Sequence, residues 1–379
     1  MAEQAKHRAI SNALSSEIAA GQYAASGRLP SEVQLVKRFG VSRPTVARAL
    51  RDLQAQGLVL RRAGSGTYIA DQAPPAPPAR QLALMIPGNR STEIFDSLSD
   101  ELASLARARD YTLVWGGAAG RDDDAARTEQ HALETCEQLI ERSVAGVLFA
   151  PLELKDRGEQ ANRAIAARFR EARVPLVLLD RDLEAFPARS DLDLVGVDNF
   201  MAGYLVAEHL LKLGCRKIAF LRRAHAATAD ARIAGVREAL ARQSLHLAND
   251  WLGVAEPEDA QVVRQLLQQA RPDAIVCAND LAAAQLLRGL DRSGVRVPLD
   301  VRVVGFDDAK YATLVGVPLT TVHQPCRDIA SAAFHALLER IAEPSRPARS
   351  LLLTPRLVVR ESCGARFRSP PSAPETDDP

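Results

Sequence analysis

The sequence predicts an α/β protein that carries a small helical head at its N-terminus. Short apolar runs such as Gln81–Pro87 and Val174–Asp180 alternate with amphipathic helical stretches, which is typical of parallel sheets flanked by helices. The alternating part spans roughly 280 residues, more than one sheet comfortably holds, so we expect two lobes. The ten residues Asp71–Arg80 include four prolines and predict an extended linker between head and body.

Composition excludes several classes of protein. The chain has 379 residues, and its 47% hydrophobic content is ordinary for a soluble folded protein. No run approaches the roughly 20 apolar residues that cross a bilayer. The N-terminus lacks the apolar block of a secretory signal, so we expect a cytoplasmic protein with no membrane partner. Five widely spaced cysteines form neither a disulfide framework nor a zinc motif, and we expect no metal and no cofactor.

The charge is unevenly distributed along the chain. Residues 1–72 hold ten Lys/Arg and five Asp/Glu, whereas the rest holds 38 Lys/Arg and 42 Asp/Glu. A basic head on an acidic body indicates contact with nucleic acid.

Two short helices are predicted within the head. Residues 31–40 read as a helix that is capped by Ser31 and ends at Gly40, and a second helix follows Ser42. A tight glycine-containing turn between two such helices is the sequence form of a helix-turn-helix.

The second helix has two different faces. Val46, Leu50 and Leu53 recur at helical spacing and form an apolar face, while Arg48 and Arg51 point the opposite way. After it, residues 57–70 read as a strand, a Gly-Ser-Gly turn and a second strand, which would form a thin wing. An arginine-bearing helix suits the major groove of DNA.

The motifs "GRLPSE", "FGVSRPTVARALRDLQAQGLV" and "GSGTYI" make the head resemble the winged helix-turn-helix DNA-binding domain of the GntR family. Two positions depart from its pattern, because Val33 and Ala47 stand where the family usually has arginine, which indicates a different operator. The resemblance implies that operator DNA is contacted by Ser42, Arg43, Thr45, Arg48, Arg62, Gly64, Ser65, Gly66 and Thr67.

In the body, polar residues follow the predicted strands. In open parallel sheets ligands bind at these strand ends, and side chains that make several hydrogen bonds there suit vicinal hydroxyl groups. The residues at these positions are Asn89, Ser91, Asp180, Asn279, Asp280, Asp307 and Asp308, with Arg232 on a following helix.

The segments "VGVDNFMAGYLVAEHLLKLGCRKIAFL", "CANDLAA", "VRVVGFDD" and "LTTVHQP" resemble the effector domain of LacI/GalR-type regulators. The resemblance covers about residues 81–363 and implies a two-lobe, periplasmic-binding-protein-like fold. It implies that a small-molecule effector is contacted by Asn89, Ser91, Phe95, Asp180, Arg232, Asn279, Asp307 and Gln324. If Arg222 and Arg223 also faced the cleft, the effector would be an anionic sugar such as a uronate or a sugar phosphate.

These features predict the domain limits. The DNA-binding domain covers residues 1–70, the linker 71–80, the effector domain 81–363 and a disordered tail 364–379. Within the effector domain, the first lobe is expected near 81–193 plus 325–350. The second is expected near 194–320 plus 351–363.

A GntR-type head on a LacI-type body resembles the arabinose-repressor type of regulator. We therefore expect a homodimeric repressor of carbohydrate-utilisation genes that binds double-stranded operator DNA and changes its operator affinity when a sugar-like effector enters the cleft. Two other classes fit parts of the sequence. One is a solute-binding receptor, which the missing signal peptide disfavours. The other is a pyridoxal-phosphate enzyme fused to a GntR head, which the lack of a Schiff-base lysine context disfavours.

Overall fold

A computed structural model describes residues 2–20, 22–23, 26–55, 57–62, 65–70, 80–86, 93–117, 125–153, 158–222, 226–247, 252–254, 257–269 and 271–365. The chain forms two compact units, Met1–Pro78 and Ala79–Pro379. Residues 71–79 of the predicted linker and residues 366–379 of the predicted tail lie outside the described residues.

The head is built from three helices and a two-stranded antiparallel sheet. Its elements are α1 (Ala2–Ala19), α2 (Glu32–Phe39), α3 (Arg43–Ala55), β1 (Val59–Arg62) and β2 (Gly66–Ile69). The predicted apolar face of α3 is confirmed, because Val46, Leu50 and Leu53 are fully buried against Leu14 and Leu35. Burial of this face leaves the opposite side of α3 exposed to solvent.

The predicted limits of α2 are also confirmed. The Ser31 hydroxyl accepts a hydrogen bond from the backbone N–H of Gln34, while the Gln34 side chain accepts one from the backbone N–H of Ser31. This capping box satisfies two N–H groups that the first turn would otherwise leave unpaired. At the other end Gly40 has φ +60°, and its N–H donates to the carbonyl of Val36. Glycine adopts that left-handed conformation without steric cost.

The first lobe of the body is a parallel six-stranded sheet covered by helices on both faces. In spatial order the strands are β13 (Ser350–Leu353), β7 (Asp193–Val197), β6 (Leu176–Leu179), β5 (Gly146–Phe149), β3 (Arg80–Met85) and β4 (Tyr111–Gly116). One face carries the helices α4 (Glu93–Ala108) and α11 (Cys326–Ala342), and the other carries α5 (Ala125–Glu141) and α6 (Gly158–Glu171).

The second lobe repeats this arrangement on a four-stranded parallel sheet. The strand order is β11 (Arg302–Val304), β10 (Ala274–Cys277), β8 (Ile218–Arg222) and β9 (Leu252–Val254). The helices are α7 (Asn199–Lys212) and α8 (Ala227–Ala241) on one face, and α9 (Ala260–Gln269) and α10 (Asp280–Arg292) on the other. A 3-10 turn, Lys310–Thr313, follows β11.

The chain passes between the two sheets three times. It crosses after β7, through β12 (Thr321–His323), and between β13 and β14 (Arg356–Val358). Strands β12 and β14 pair antiparallel, so two of the crossings are hydrogen-bonded to each other. The first sheet extends to Val197 and includes all of Ser350–Leu353, whereas the sequence placed the lobe breaks near 193/194 and 350/351. The apolar sequence pattern could not locate these lobe boundaries, because an apolar run does not show at which residue the chain leaves the sheet.

Helices α7 and α8 pack unusually close together. A Cβ atom on Gly203 would lie 2.0 Å from the carbonyl oxygen of Arg232, and one on Gly235 would lie 2.0 Å from that of Phe200. Each glycine therefore faces the backbone of the other helix, where no side chain fits. This contact fixes where Arg232 enters the space between the lobes.

We expect Gly203→Ala to destabilise the body, because the added methyl group must push the two helices apart. Overpacking of this kind costs about 1–3 kcal/mol. The free energy of unfolding in urea measures the effect. Gly316→Ala is the matched control, since no atom lies within 4 Å of its added methyl group. Equal stability of the two variants would contradict the close-packing account.

Candidate functional site

The start of α3 presents a cationic surface. Arg43 is the first residue of the helix and its side chain is 73% exposed, while Arg48 and Arg51 are exposed further along. A helix N-terminus carries partial positive charge, which adds to that of the arginines. Thr45 is buried, and its hydroxyl hydrogen-bonds that of Ser42 at 2.8 Å, so this pair braces the helix start.

Glu32 joins three parts of the head. Its carboxylate accepts from Arg43 Nε at 3.3 Å and also from the guanidinium of Arg61 on the wing. The start of α2, the start of α3 and strand β1 are thereby linked by one acidic side chain. The carboxylate orients two arginines that would otherwise move freely, which the sequence did not indicate.

The wing is stiffened by arginine–tyrosine contacts. Arg62 and Arg28 both place their guanidinium groups over the Tyr68 ring, at 5.6 and 5.7 Å from its centroid. The Ser65 hydroxyl lies 2.8 Å from that of Tyr68. Gly66 has φ +126°, and a Cβ atom there would lie 2.8 Å from the Arg28 guanidinium, so only glycine fits without rearrangement.

The sequence predicted DNA contacts for two further wing residues, Thr67 and Gly64. Thr67 is buried within the hairpin, which directs its side chain toward the head's own packing. Gly64 lies outside the described residues.

In the body, Asp307 occupies the end of the second sheet. It is 7% exposed and accepts a hydrogen bond from Gln324 Nε2 at 2.7 Å. Burial raises its pKa to about 7, although the charge of Arg232 opposes the shift. Its backbone has φ +117°, an unusual conformation for a residue with a side chain. A buried carboxyl group in strained backbone at a strand end is a recurrent mark of a functional site.

Arg232 projects from α8 toward the same region. It is 5% exposed, its Nε donates to Asn199 Oδ1 at 2.7 Å, and its guanidinium also donates to the carbonyl of Ala278. The guanidinium carbon lies 4.4 Å from the centroid of the Phe306 ring, within the range of a cation–π contact. These contacts hold a buried cation in one orientation beside the Asp307 carboxyl group.

The first lobe contributes a matching ionic group. Asp180 ends β6 with φ +72°, and its carboxylate accepts from Arg181 at 2.7 Å. Arg181 also pairs with Glu153 and places its guanidinium 5.8 Å from the centroid of the Phe95 ring. Burial opposes the charge on Arg181, but Glu153, Asp180 and Asp307 outweigh it and raise its pKa. The charge of Asp307, in the second lobe, thus acts on Arg181 in the first lobe.

Next to Asp307 lies a more deeply buried acid, Asp280. It accepts hydrogen bonds from the Thr321 hydroxyl at 2.6 Å and from the backbone N–H of Ala309 at 2.9 Å. Burial, together with the charge of Asp307, raises the pKa of Asp280 well above its usual value. Asp280 thus braces the turn after β11 against the crossover strand β12.

Two further features lie between the lobes. The backbone N–H of Lys310 in the second lobe donates to Glu93 Oε2 in the first lobe at 2.6 Å. A hollow lies beside Arg181, with a lining that includes Glu153 and Leu183 from the first lobe and Ala227 and Asp230 from the second.

Comparison with known proteins agrees with this architecture. Residues 6–69 match the family described as bacterial regulatory proteins of the gntR family. Residues 207–363 match the periplasmic binding protein-like domain.

One relative matches nearly the whole chain and another matches most of it. The chain is 27% identical to the arabinose metabolism transcriptional repressor of Geobacillus stearothermophilus, covering 94% of this chain and 97% of that protein. It is 31% identical to the HTH-type transcriptional repressor PurR of Vibrio parahaemolyticus, covering 72% of this chain and 78% of that one. The chain belongs to the LacI-type family of transcription regulators, with a GntR-type head. A solved complex of the regulator CelR with cellobiose has a similar fold, with a TM-score of 0.63, 25% identity and coverage of 85% and 91%.

The structure brings some of the predicted effector residues close together. Asp307, Gln324 and Arg232 lie together, and Asp180 is close enough for its charge to act on Asp307. The Phe95 ring lies against the guanidinium of Arg181 in the first lobe. The remaining positions differ. Asn279 caps α10 by accepting from the backbone N–H of Ala282 at 2.8 Å, and Asn89 and Ser91 lie outside the described residues.

Sequence reasoning missed three residues of this cleft. Arg181 follows Asp180 directly, so its position at a strand end was an available signal. Glu153 likewise follows β5 closely, whereas Asn199 sits in the first turn of α7, where its link to Arg232 depends on helix packing alone. The charge of Arg222 is matched by Asp230, with which it forms an ion pair, and Arg223 lies outside the described residues.

No helix among the described residues is long and apolar enough to span a membrane.

Burial raises the pKa of the Cys326 thiol to about 11, helped by the charges of Asp307 and Asp180. This thiol, at the start of α11, is therefore neutral at physiological pH.

The raised pKa of Asp307 predicts a pH-dependent stability difference. In the unfolded chain the carboxyl group ionises near pH 4, but in the fold it holds its proton up to about pH 7. The wild-type protein therefore loses stability as pH rises through this window. We expect Asp307→Asn to melt at the wild-type temperature near pH 4 and roughly 2–4 °C higher at pH 8, measured by thermal unfolding.

Asp308→Asn is the opposite-sign control. Burial disfavours the charge on Asp308, but hydrogen bonds from Arg360 and His323 outweigh it and lower its pKa. This variant should melt below wild type at pH 8. A melting temperature for Asp307→Asn that stays below wild type at every pH would contradict the raised pKa of Asp307.

Proposed function

We propose that this protein represses carbohydrate-utilisation genes and that a neutral sugar or polyol, held between the lobes, changes its affinity for operator DNA. The observation that carries the proposal is the group of Asp307, Gln324 and Arg232 at the strand ends, facing Asp180 and Arg181 of the other lobe. The proposal assigns no catalytic step to the protein.

The charges of the cleft favour a neutral effector. Arg181 is shared by Asp180 and Glu153, and Arg222 is paired with Asp230, so neither offers an unneutralised cation to an anionic ligand. Arg232 already donates hydrogen bonds to Asn199 and to the carbonyl of Ala278. A polyol instead offers hydroxyl groups that donate to carboxylates and accept from guanidinium and amide groups. We therefore favour a neutral sugar over a uronate or a sugar phosphate.

The relatives support a small polar effector. One is an arabinose metabolism repressor, and a structurally similar regulator was solved with cellobiose. These ligands belong to those proteins. For this chain they support the class of ligand and leave the individual sugar to experiment.

The head supports the DNA-binding half of the proposal. Arg43 lies at the N-terminal end of α3, and Arg48 and Arg51 lie on the exposed side of that helix. Arg61 lies on the wing. Phosphates would compete with Glu32 for Arg43 and Arg61. The ion pair between Arg43 and Glu32 is weak, because the Arg43 side chain is exposed to solvent. We extend the proposed contacts to Ser42, Arg62, Gly64, Ser65 and Gly66. Thr45 and Thr67 were predicted to contact DNA as well, but their side chains are buried, and we propose that they support the helix start and the hairpin instead.

Coupling between the two activities requires that the effector prefer one lobe arrangement. An effector shifts operator affinity only by its differential affinity for the two states. A homodimer acting on a palindromic operator in the cytoplasm completes the proposal, since two heads fixed by symmetry read two half-sites. Residues 1–70 would serve as the DNA-binding domain, 71–80 as the linker, 81–363 as the effector domain and 364–379 as a tail.

A thermal-shift screen of the full-length protein tests the effector. Pentoses, hexoses, uronates and sugar phosphates are compared, and we expect the stabilising compounds to be neutral sugars. For the best compound, Arg232→Met should weaken binding by about 10- to 100-fold, because a charge-assisted hydrogen bond contributes about 1.5–3 kcal/mol. Calorimetry measures the affinity.

The control is Arg242→Met at the end of the same helix, where the guanidinium pairs with Glu238 on the surface. It should bind the sugar as wild type does. Stabilisation by uronates or sugar phosphates alone would contradict the neutral-effector proposal, and equal sugar affinity of both arginine variants would remove Arg232 from the site.

DNA binding by the head predicts a salt effect. Each lysine or arginine that neutralises a phosphate steepens the fall of affinity with salt. We expect Arg43→Ala to weaken operator binding and to reduce the slope of log affinity against log salt by about 1. Fluorescence anisotropy with a labelled operator duplex measures both.

Arg38→Ala is the matched control, because its guanidinium is held by Glu17 and Tyr23 on the α1 side of the head. Its salt slope should equal that of wild type. An unchanged slope for Arg43→Ala would mean that the start of α3 does not face phosphates.

A further inference from the structure

Val33 is an apolar side chain that the head leaves in solvent. It is 67% exposed, although it lies in the first turn of a helix with a fixed start. Leu35, two residues on, is fully buried in the head's core. At 100° per residue the two side chains point nearly opposite ways, so Val33 faces outward by construction of the helix.

Val33 lies in a region of the head that carries several charged residues. Its neighbour Glu32 holds Arg43 at the start of α3 and Arg61 on the wing. Through that link the start of α2, which carries Val33, lies close to the N-terminal end of α3, the end that reaches base edges when a helix-turn-helix docks in the major groove. An exposed valine there faces the same partner as the arginines around it.

Major-groove chemistry offers one good apolar partner. Thymine presents a C5-methyl group there, whereas the edges of the other bases present donors and acceptors. We infer that Val33 contacts the methyl group of a thymine in the operator and is a specificity-determining residue of this head. The inference rests on the proposed function, because it requires that the head bind DNA.

The test separates this contact from all others by removing only the methyl group. The full-length protein selects its preferred duplex from a random library, and each thymine of that duplex is then replaced by deoxyuridine. We expect one symmetry-related pair of thymines at which replacement weakens wild-type binding by about 3- to 5-fold per half-site, the effect of losing one buried methyl group. Val33→Ala should bind the thymine and uracil duplexes with equal affinity.

Leu60→Ala is the control variant. Leu60 is the other exposed large apolar residue described in the head, but it alternates with Arg61 along β1 and so points to the opposite face of the wing. It should keep the full difference between thymine and uracil. Because Val33 and Leu60 are both exposed, neither truncation should prevent folding, and thermal unfolding checks this.

The outcomes are distinct. A thymine–uracil difference that persists in Val33→Ala, or that no thymine shows in wild type, overturns the inference while leaving DNA binding intact. So does a change of oligomeric state in Val33→Ala with an unchanged thymine–uracil difference, since Val33 would then contact a second copy of the chain. If the wild-type protein selects no sequence at all, the proposed function fails together with the inference.

Discussion

The second lobe's share of the cleft depends on the buried guanidinium of Arg232. A cation at this depth is stabilised by hydrogen bonds to Asn199 and to the carbonyl of Ala278 and by the ring of Phe306. Those partners come from α7, the end of β10 and the end of β11. They meet because two glycines allow α7 and α8 to touch backbone to backbone, so a packing constraint far from solvent decides where the charge lies.

The state of the acids near Arg232 depends on burial and on the neighbouring arginines. Asp307 is strained in its backbone and reluctant to ionise, while Asp180 is held by an arginine of its own lobe. Hydrogen bonds within the protein already hold both side chains in place. Polar groups that are fixed before binding lose less side-chain freedom when a ligand arrives.

Much of the fold was predictable because it rests on local rules. The alternation of apolar runs with amphipathic helices predicted the α/β body, and Ser31 with Gly40 predicted the limits of α2. Asp180 and Asp307 were predictable because the end of a parallel strand fixes the location of the next side chain. Arg181, Glu153 and Asn199 were not predicted, since their roles depend on which elements pack together. The same reason explains why Glu32 was not recognised as the link between helix and wing.

The bond between the lobes has an unusual chemical asymmetry. On one side it is a side chain, Glu93, and on the other it is the main-chain amide of Lys310. Every residue except proline supplies that amide, so replacing the lysine side chain leaves the donor in place. A substitution of Glu93, by contrast, removes the acceptor and with it this hydrogen bond between the lobes.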